Sequence, residues 1–145
     1  MSFLSSLNIG GSALTAQKLR MDIISQNIAN ASTTRTENGG PYRRKMVVFS
    51  KGEQKTPFEN ILNAASGENI SGVVVSGIIE DPEDLKPVFD PSHPDADVNG
   101  YVMMPNVDTV KEMIDMMSAT RSYEASVTAL NATKLMAAKA LEIGR

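Results

Sequence analysis

The residues best spaced for chemistry lie between Asp90 and Gly100. Asp95, Asp97 and Asn99 alternate and run into Gly100, matching the first half of an EF-hand loop, in which alternate oxygen donors wrap a calcium ion. The second half does not follow. Asn106 stands where a bidentate glutamate belongs, and no helical pattern leads into Asp95. The other reading is an acidic surface turn in which Asn99-Gly100 supplies a positive φ. His93, the single histidine, sits between Ser92 and Pro94 in the same stretch. Without a second histidine or any cysteine, neither a zinc site nor a Cys/His nucleophile pair can be assembled from one chain. Glu83 and Asp84 are paired carboxylates in a turn. Sequons begin at Asn30, Asn69 and Asn131, two of them on helical segments, and read as coincidence in a chain rich in Ser, Thr and Asn. No catalytic residue, cofactor site or metal site is expected.

The composition excludes other classes. A net charge of −3 and the lack of a Lys/Arg stripe argue against nucleic acid. The basic cluster Arg43-Arg44-Lys45 reads as the solvated flank of a strand. Met1 to Ile9 contains no Lys or Arg, and its apolar residues are broken by Ser5, Ser6 and Asn8, so no secretory leader is expected. No run approaches the ~18 apolar residues of a membrane span.

With chemistry set aside, the elements carry the information. In residues 4–32, Leu7, Leu14, Met21 and Ile28 fall seven apart, with Leu4, Ile24 and Ala31 beginning a second column whose earlier places are held by Gly10 and Gln17. Residues 1–34 carry three charges, Lys18, Arg20 and Asp22. A helix facing water would show more Lys and Glu, whereas a hydroxyl- and amide-rich surface suits protein contact on several sides. In residues 107–143, Met113, Met116, Tyr123, Val127, Leu130, Ala137 and Leu141 recur at three- and four-residue steps. Beside them runs a small-residue row that includes Ala125 and Ala129, spaced for close approach of another helix. Pro105 precedes this segment, Asn106 or Thr109 can cap it, and Thr109-x-x-Glu112 fits a capping box.

Length points to assembly. The two segments would span roughly 54 and 42 Å at ~1.5 Å per residue, far beyond the average globular helix. A middle segment of residues 35–105 is too small to cover their apolar stripes. It reads as a loop from Thr34 to Pro41, a strand from Tyr42 to Phe49, and a short helix from Thr56 to about Ala65. A strand over Val73–Ile79 interrupted at Gly77, a turn between Pro82 and Pro87, and short strands at Val88-Phe89 and Tyr101–Met104 follow. The expected fold is therefore mainly α with a small β-rich middle. Residues 1–34 and 106–145 form one discontinuous terminal-helix domain, its long helices pairing as a coiled-coil-like layer. The expected assembly surface comprises Leu7, Leu14, Met21, Ile24 and Ile28 on one helix. On the other it comprises Met113, Met116, Tyr123, Ala125, Val127, Ala129 and Leu130.

Ser25-Gln26-Asn27-Ile28-Ala29-Asn30-Ala31-Ser32-Thr33-Thr34 resembles the N-terminal motif of flagellar rod, hook and hook-associated axial proteins. Pro105-Asn106-Val107-Asp108 and Ala119-x-Arg121-Ser122-Tyr123-Glu124-Ala125 resemble the matching C-terminal motif. The chain departs from the general pattern at Arg35 to Pro41, which intervene before Tyr42, and in this it is similar to the proximal-rod branch of the family. The resemblance covers essentially the whole chain. It implies a non-enzymatic structural subunit of the bacterial flagellar basal body, with partners in copies of itself and other rod proteins. It also implies passage through the flagellar type III export apparatus without a cleaved signal peptide, an inner helical layer and an outer β-rich segment. The Arg35–Pro41 loop would contact an adjacent subunit. The competing class is a soluble helical adaptor or export-chaperone-like binding module, which would show a solvated, charged outer helix face.

Overall fold

The computed structural model describes residues 3–37, 39–52 and 72–143. Helix α1 spans Phe3–Ala29 and helix α2 spans Thr109–Ile143. They are about 40 and 52 Å long at 1.5 Å per residue. Between them come strands β1 (Lys45–Lys51), β2 (Val73–Glu80), β3 (Lys86–Phe89) and β4 (Tyr101–Met104). The expected helix from Thr56 to about Ala65 lies outside the described residues.

The helices pack side by side and antiparallel. Asn27 meets Glu112 at one end, Met21 meets Thr120 further along, and Gly10 lies opposite Leu130. A Cβ built on Gly10 would come within 3.2 Å of Leu130 Cδ1, so the gap in the α1 column receives a leucine from α2. Gln17 fills the next place in that column, and its side-chain oxygen is buried without a hydrogen-bond partner. The coiled-coil-like pairing is thus present within a single chain.

The helix ends differ from the sequence expectation for local reasons. α1 stops at Ala29 rather than running to Ser32, because Asn30 folds back, its side-chain amide donating to the Gln26 carbonyl at 2.9 Å. α2 begins at Thr109 rather than Val107. Asp108 is its N-cap, accepting from the N–H groups of Val110 and Lys111 at 3.0 and 3.3 Å. The capping box expected from Thr109-x-x-Glu112 does not form, because the Glu112 carboxylate is turned inward and paired elsewhere.

The strands make two antiparallel ribbons, β1 with β2 and β3 with β4. β1 begins at Lys45 rather than Tyr42, since the Tyr42 N–H donates to the Thr33 carbonyl and the Arg44 N–H to the Asn106 side chain instead of to a neighbouring strand. β2 is continuous through Gly77, where an interruption was expected. The ladder absorbs the irregularity as a bulge: Val48 pairs with Gly77 and Phe49 with Val75, leaving Ser76 over, and its hydroxyl donates to the Val48 carbonyl at 3.1 Å. The β3–β4 ribbon runs from Lys86↔Met104 to Phe89↔Tyr101, whose rings meet edge to face at 5.3 Å. Ser12 fastens α1 to β2 by accepting from the Val73 N–H at 3.1 Å.

Burial is lopsided. Ala16, Ile23, Ile24 and Asn27 are buried on α1, and Glu112 and Ala119 on α2. Tyr42, Val102, Pro105, Asn106 and Val107 are buried beside them. Among the described residues nothing on α2 beyond Ala119 is buried. The pair is rooted at one end and bare at the other.

Candidate functional site

At the root lies a junction built on two residues of the recognised motifs, Asn27 and Asn106, and on a buried ion pair. Asn27 is 1% exposed, and its amide is fully used. Nδ2 donates to the Lys45 carbonyl and to Glu112 Oε2, both at 2.9 Å. Oδ1 accepts from the Tyr42 hydroxyl and the Lys45 N–H, also at 2.9 Å. One side chain near the end of α1 thereby fixes the start of β1 and the first turn of α2. Asn106 does the same from the other side: its oxygen accepts from the Arg44 N–H at 2.8 Å. Its nitrogen donates to the carbonyls of Asp81 and Glu83 at 3.3 and 3.1 Å.

Arg44 joins these parts. Its Nε donates to Glu112 Oε1 at 2.7 Å, Nη1 reaches Asp81 at 3.3 Å and Nη2 reaches Asp115 at 3.4 Å. The Arg44 side chain is 15% exposed and that of Glu112 is fully buried. Reading Arg44 as the solvated flank of a strand is therefore corrected. The planar fork of a guanidinium can face several carboxylates at once, which places it inside where lysine would not serve. Burial pushes the Arg44 ionisation down, but the hydrogen bonds and charges of Glu112 and Asp81 outweigh it and leave the pKa above its ordinary value. The Tyr42 hydroxyl is also pushed up, first by burial and then by the charges of Glu112 and Glu80. A fully satisfied network of this kind specifies one arrangement of the elements that meet in it.

The residues expected at an assembly surface divide into two sets. Ile24 is buried, and Leu7, Leu14, Met21, Ile28, Met116, Tyr123, Val127 and Leu130 are half-buried. Met113, Ala125 and Ala129 are exposed. Of the motif residues, Asn27, Tyr42, Pro105 and Asn106 are buried, Ile28, Asn30 and Tyr123 half-buried, and Ala29 and Arg121 exposed. The inner seam of α2 runs through Glu112, Met116, Ala119, Tyr123, Ser126 and Leu130. Met116, Tyr123 and Leu130 stood in the expected stripe, whereas Glu112, Ala119 and Ser126 were missed because the seam mixes charged, small and large residues.

The outer face of α2 is open and carries large apolar residues. Val110 is 65% exposed, Ile114 57%, Met117 54% and Leu135 65%. Its hydroxyls demand little from surroundings, since those of Ser122, Thr128 and Thr133 each donate to the carbonyl four residues earlier at 2.9 Å. Such a surface can be covered by protein without stranding polar groups.

The acidic stretch is a turn. Asp95 accepts from the Thr34 hydroxyl at 2.9 Å and pairs with Arg35 at 3.7 Å, and Gly100 takes φ 76°. The Asp95 N–H donates to His93 Nδ1 at 3.1 Å. Asp90 is held below the usual carboxylate range by hydrogen bonds from Ser92. A cleft of about 410 Å³ beside the turn is lined by Asp95 but not by Asp90 or His93. The Arg35–Pro41 loop closes on itself through the Thr36 N–H and hydroxyl, both bonded to the Gly40 carbonyl at 2.8 Å. No helix among the described residues is long and apolar enough to cross a membrane.

Comparison with known proteins gives a consistent result at both ends and over the whole length. Residues 7–35 match the family described as flagella basal body rod protein. Residues 98–143 match the C-terminal family of flagellar basal body rod FlgEFG proteins. The chain is 55% identical to the flagellar basal-body rod protein FlgC of Bacillus subtilis, over the full length of both. It is 46% identical to FlgC of Borreliella burgdorferi, over 99% of this chain and 98% of that protein. It is 43% identical to FlgC of Salmonella typhimurium over the full length of both.

Proposed function

The chain belongs to the FlgC family of flagellar basal-body rod proteins, and on that premise we propose that it polymerises through its terminal helices to build the proximal rod. It is a structural subunit of the basal body, and its role asks no catalysis of it. The terminal-helix unit, residues 1–34 and 106–145, forms the inner layer of a helical assembly, and residues 35–105 face outward. The subunit leaves the cell through the flagellar type III export apparatus. In the rod it contacts copies of itself and other rod proteins, the Arg35–Pro41 loop included, and passes torque toward the distal rod and hook. Dense helix packing gives such a tube little torsional compliance, and a helical, non-closing contact extends it.

The observation that carries this reading is the contrast between the rooted and the bare ends of the helix pair. Among the described residues nothing covers Leu135, Met136 and Leu141, which are 65, 66 and 78% exposed. Large apolar side chains left exposed together at one end of a helix pair mark an interaction face. Leu135→Asp tests it: the exposed site leaves the monomer's stability within about 0.5 kcal/mol, so the variant is exported at the wild-type level but is absent from purified basal bodies. Normal incorporation of Leu135→Asp, or absence of the wild-type subunit from basal bodies, contradicts the reading.

A further inference from the structure

The outer faces of the two helices carry charges that find no ion-pair partner among the described residues. On α1, Lys18 and Asp22 lie one turn apart, both exposed, on the side away from Ala16, Ile23 and Asn27. On α2, Arg121 and Glu124 lie one turn apart on the side away from Ala119 and Leu130. None of the four forms an ion pair with a described residue, although Arg20, Arg44 and Asp115 nearby all do. Arg121 is placed four residues after exposed Met117 and four before exposed Ala125, with exposed Glu124 one turn away.

We propose that α1 of a second copy docks on this stripe, antiparallel, with its Asp22 against Arg121 and its Lys18 against Glu124. The proposal rests on the rod reading above and names the surface and charge pairing by which two copies meet. Direction follows from the order of the charges. In an antiparallel approach Asp22 faces Arg121 while Lys18, further toward the N-terminus, faces Glu124, further toward the C-terminus. A parallel approach with Asp22 at Arg121 moves Lys18 toward Met117 and leaves Glu124 unpaired. The docked arrangement repeats nearly the register of the pair inside the chain, where Met21 meets Thr120. It also sets exposed Ala132 beside Gly11, which has open space around its α-carbon, so the two backbones can approach closely. Opposite charges on complementary faces fix register and exclude like-charged alternatives.

Charge exchange tests the pairing. Arg121→Glu and Asp22→Arg are each expected to reduce incorporation into basal bodies at least tenfold while export continues, and Arg121→Glu combined with Asp22→Arg restores it to within about twofold of wild type. The chain has no cysteine, so a chain bearing Asp22→Cys and another bearing Arg121→Cys should form a disulfide-linked dimer in rods only when both are present. Two outcomes overturn the inference without touching the rod reading: single exchanges that assemble normally, or a double exchange that stays excluded and cysteine pairs that give no dimer, which would place a different chain on the stripe. Wild-type subunit missing from basal bodies would instead be a failure of the rod reading itself.

Discussion

Replacing Arg44 with alanine removes the cation that Glu112 faces at 2.7 Å inside the junction. The carboxylate has no exposure to fall back on and keeps a single hydrogen bond, from Asn27 at 2.9 Å. Truncating one partner of a buried ion pair costs about 3–5 kcal/mol, because the other charge is left buried and unpaired. The expected loss is therefore about 3–5 kcal/mol. Small domains unfold in urea with a slope of about 1–3 kcal/mol per M, so the midpoint should fall by at least ~1 M, followed by circular dichroism and by tyrosine fluorescence. Arg44→Met combined with Glu112→Leu removes both charges and should recover most of the loss, as apolar replacements of buried pairs do. A loss below about 1 kcal/mol for Arg44→Ala, the value of an exposed pair, would refute the claim that this junction roots the helices.

Further outcomes follow from the same geometry. Gly10→Leu forces a side chain into the space of Leu130 and should cost ~1–3 kcal/mol by overpacking, read as a lower urea midpoint. Ala129→Leu changes an exposed site and should leave the monomer within about 0.5 kcal/mol of wild type, yet lose incorporation into basal bodies if another helix approaches the small-residue row. Tyr42 binds its proton more tightly folded than unfolded, so its contribution is complete below pH 10 and declines as the pH rises above it. Ultraviolet titration should show a late tyrosine ionisation that Tyr42→Phe lacks.

The helices were legible because periodicity is a local property, and the spacing of Leu7, Leu14, Met21 and Ile28 survives any tertiary context. Their pairing was legible from length. The junction was not, because its members are far apart in the chain. Glu112 satisfies a capping box as well as it satisfies an ion pair, and only the approach of Arg44 from the start of β1 decides between them. Arg44 looked like a surface residue because nothing beside it in sequence supplies its three carboxylates. Asn27 and Tyr42 entered through a motif, and their meaning, a single amide reading two backbone groups and two side chains, appears only in three dimensions. The bulge at Ser76 was half visible: Gly77 marked the irregularity, but the ladder carries the strand through it.

Hydrogen exchange on the isolated subunit and on purified rods tests the central claim most directly. In the isolated subunit, amides of residues 16–27 and 112–119, beside the buried junction, should exchange slowly. Those of residues 135–143 should exchange near the unprotected rate, since helices without a packed face are marginal. In rods both sets should be protected. Uniform slow exchange along both helices of the isolated subunit would contradict the account, because the bare end would then be stable without neighbours.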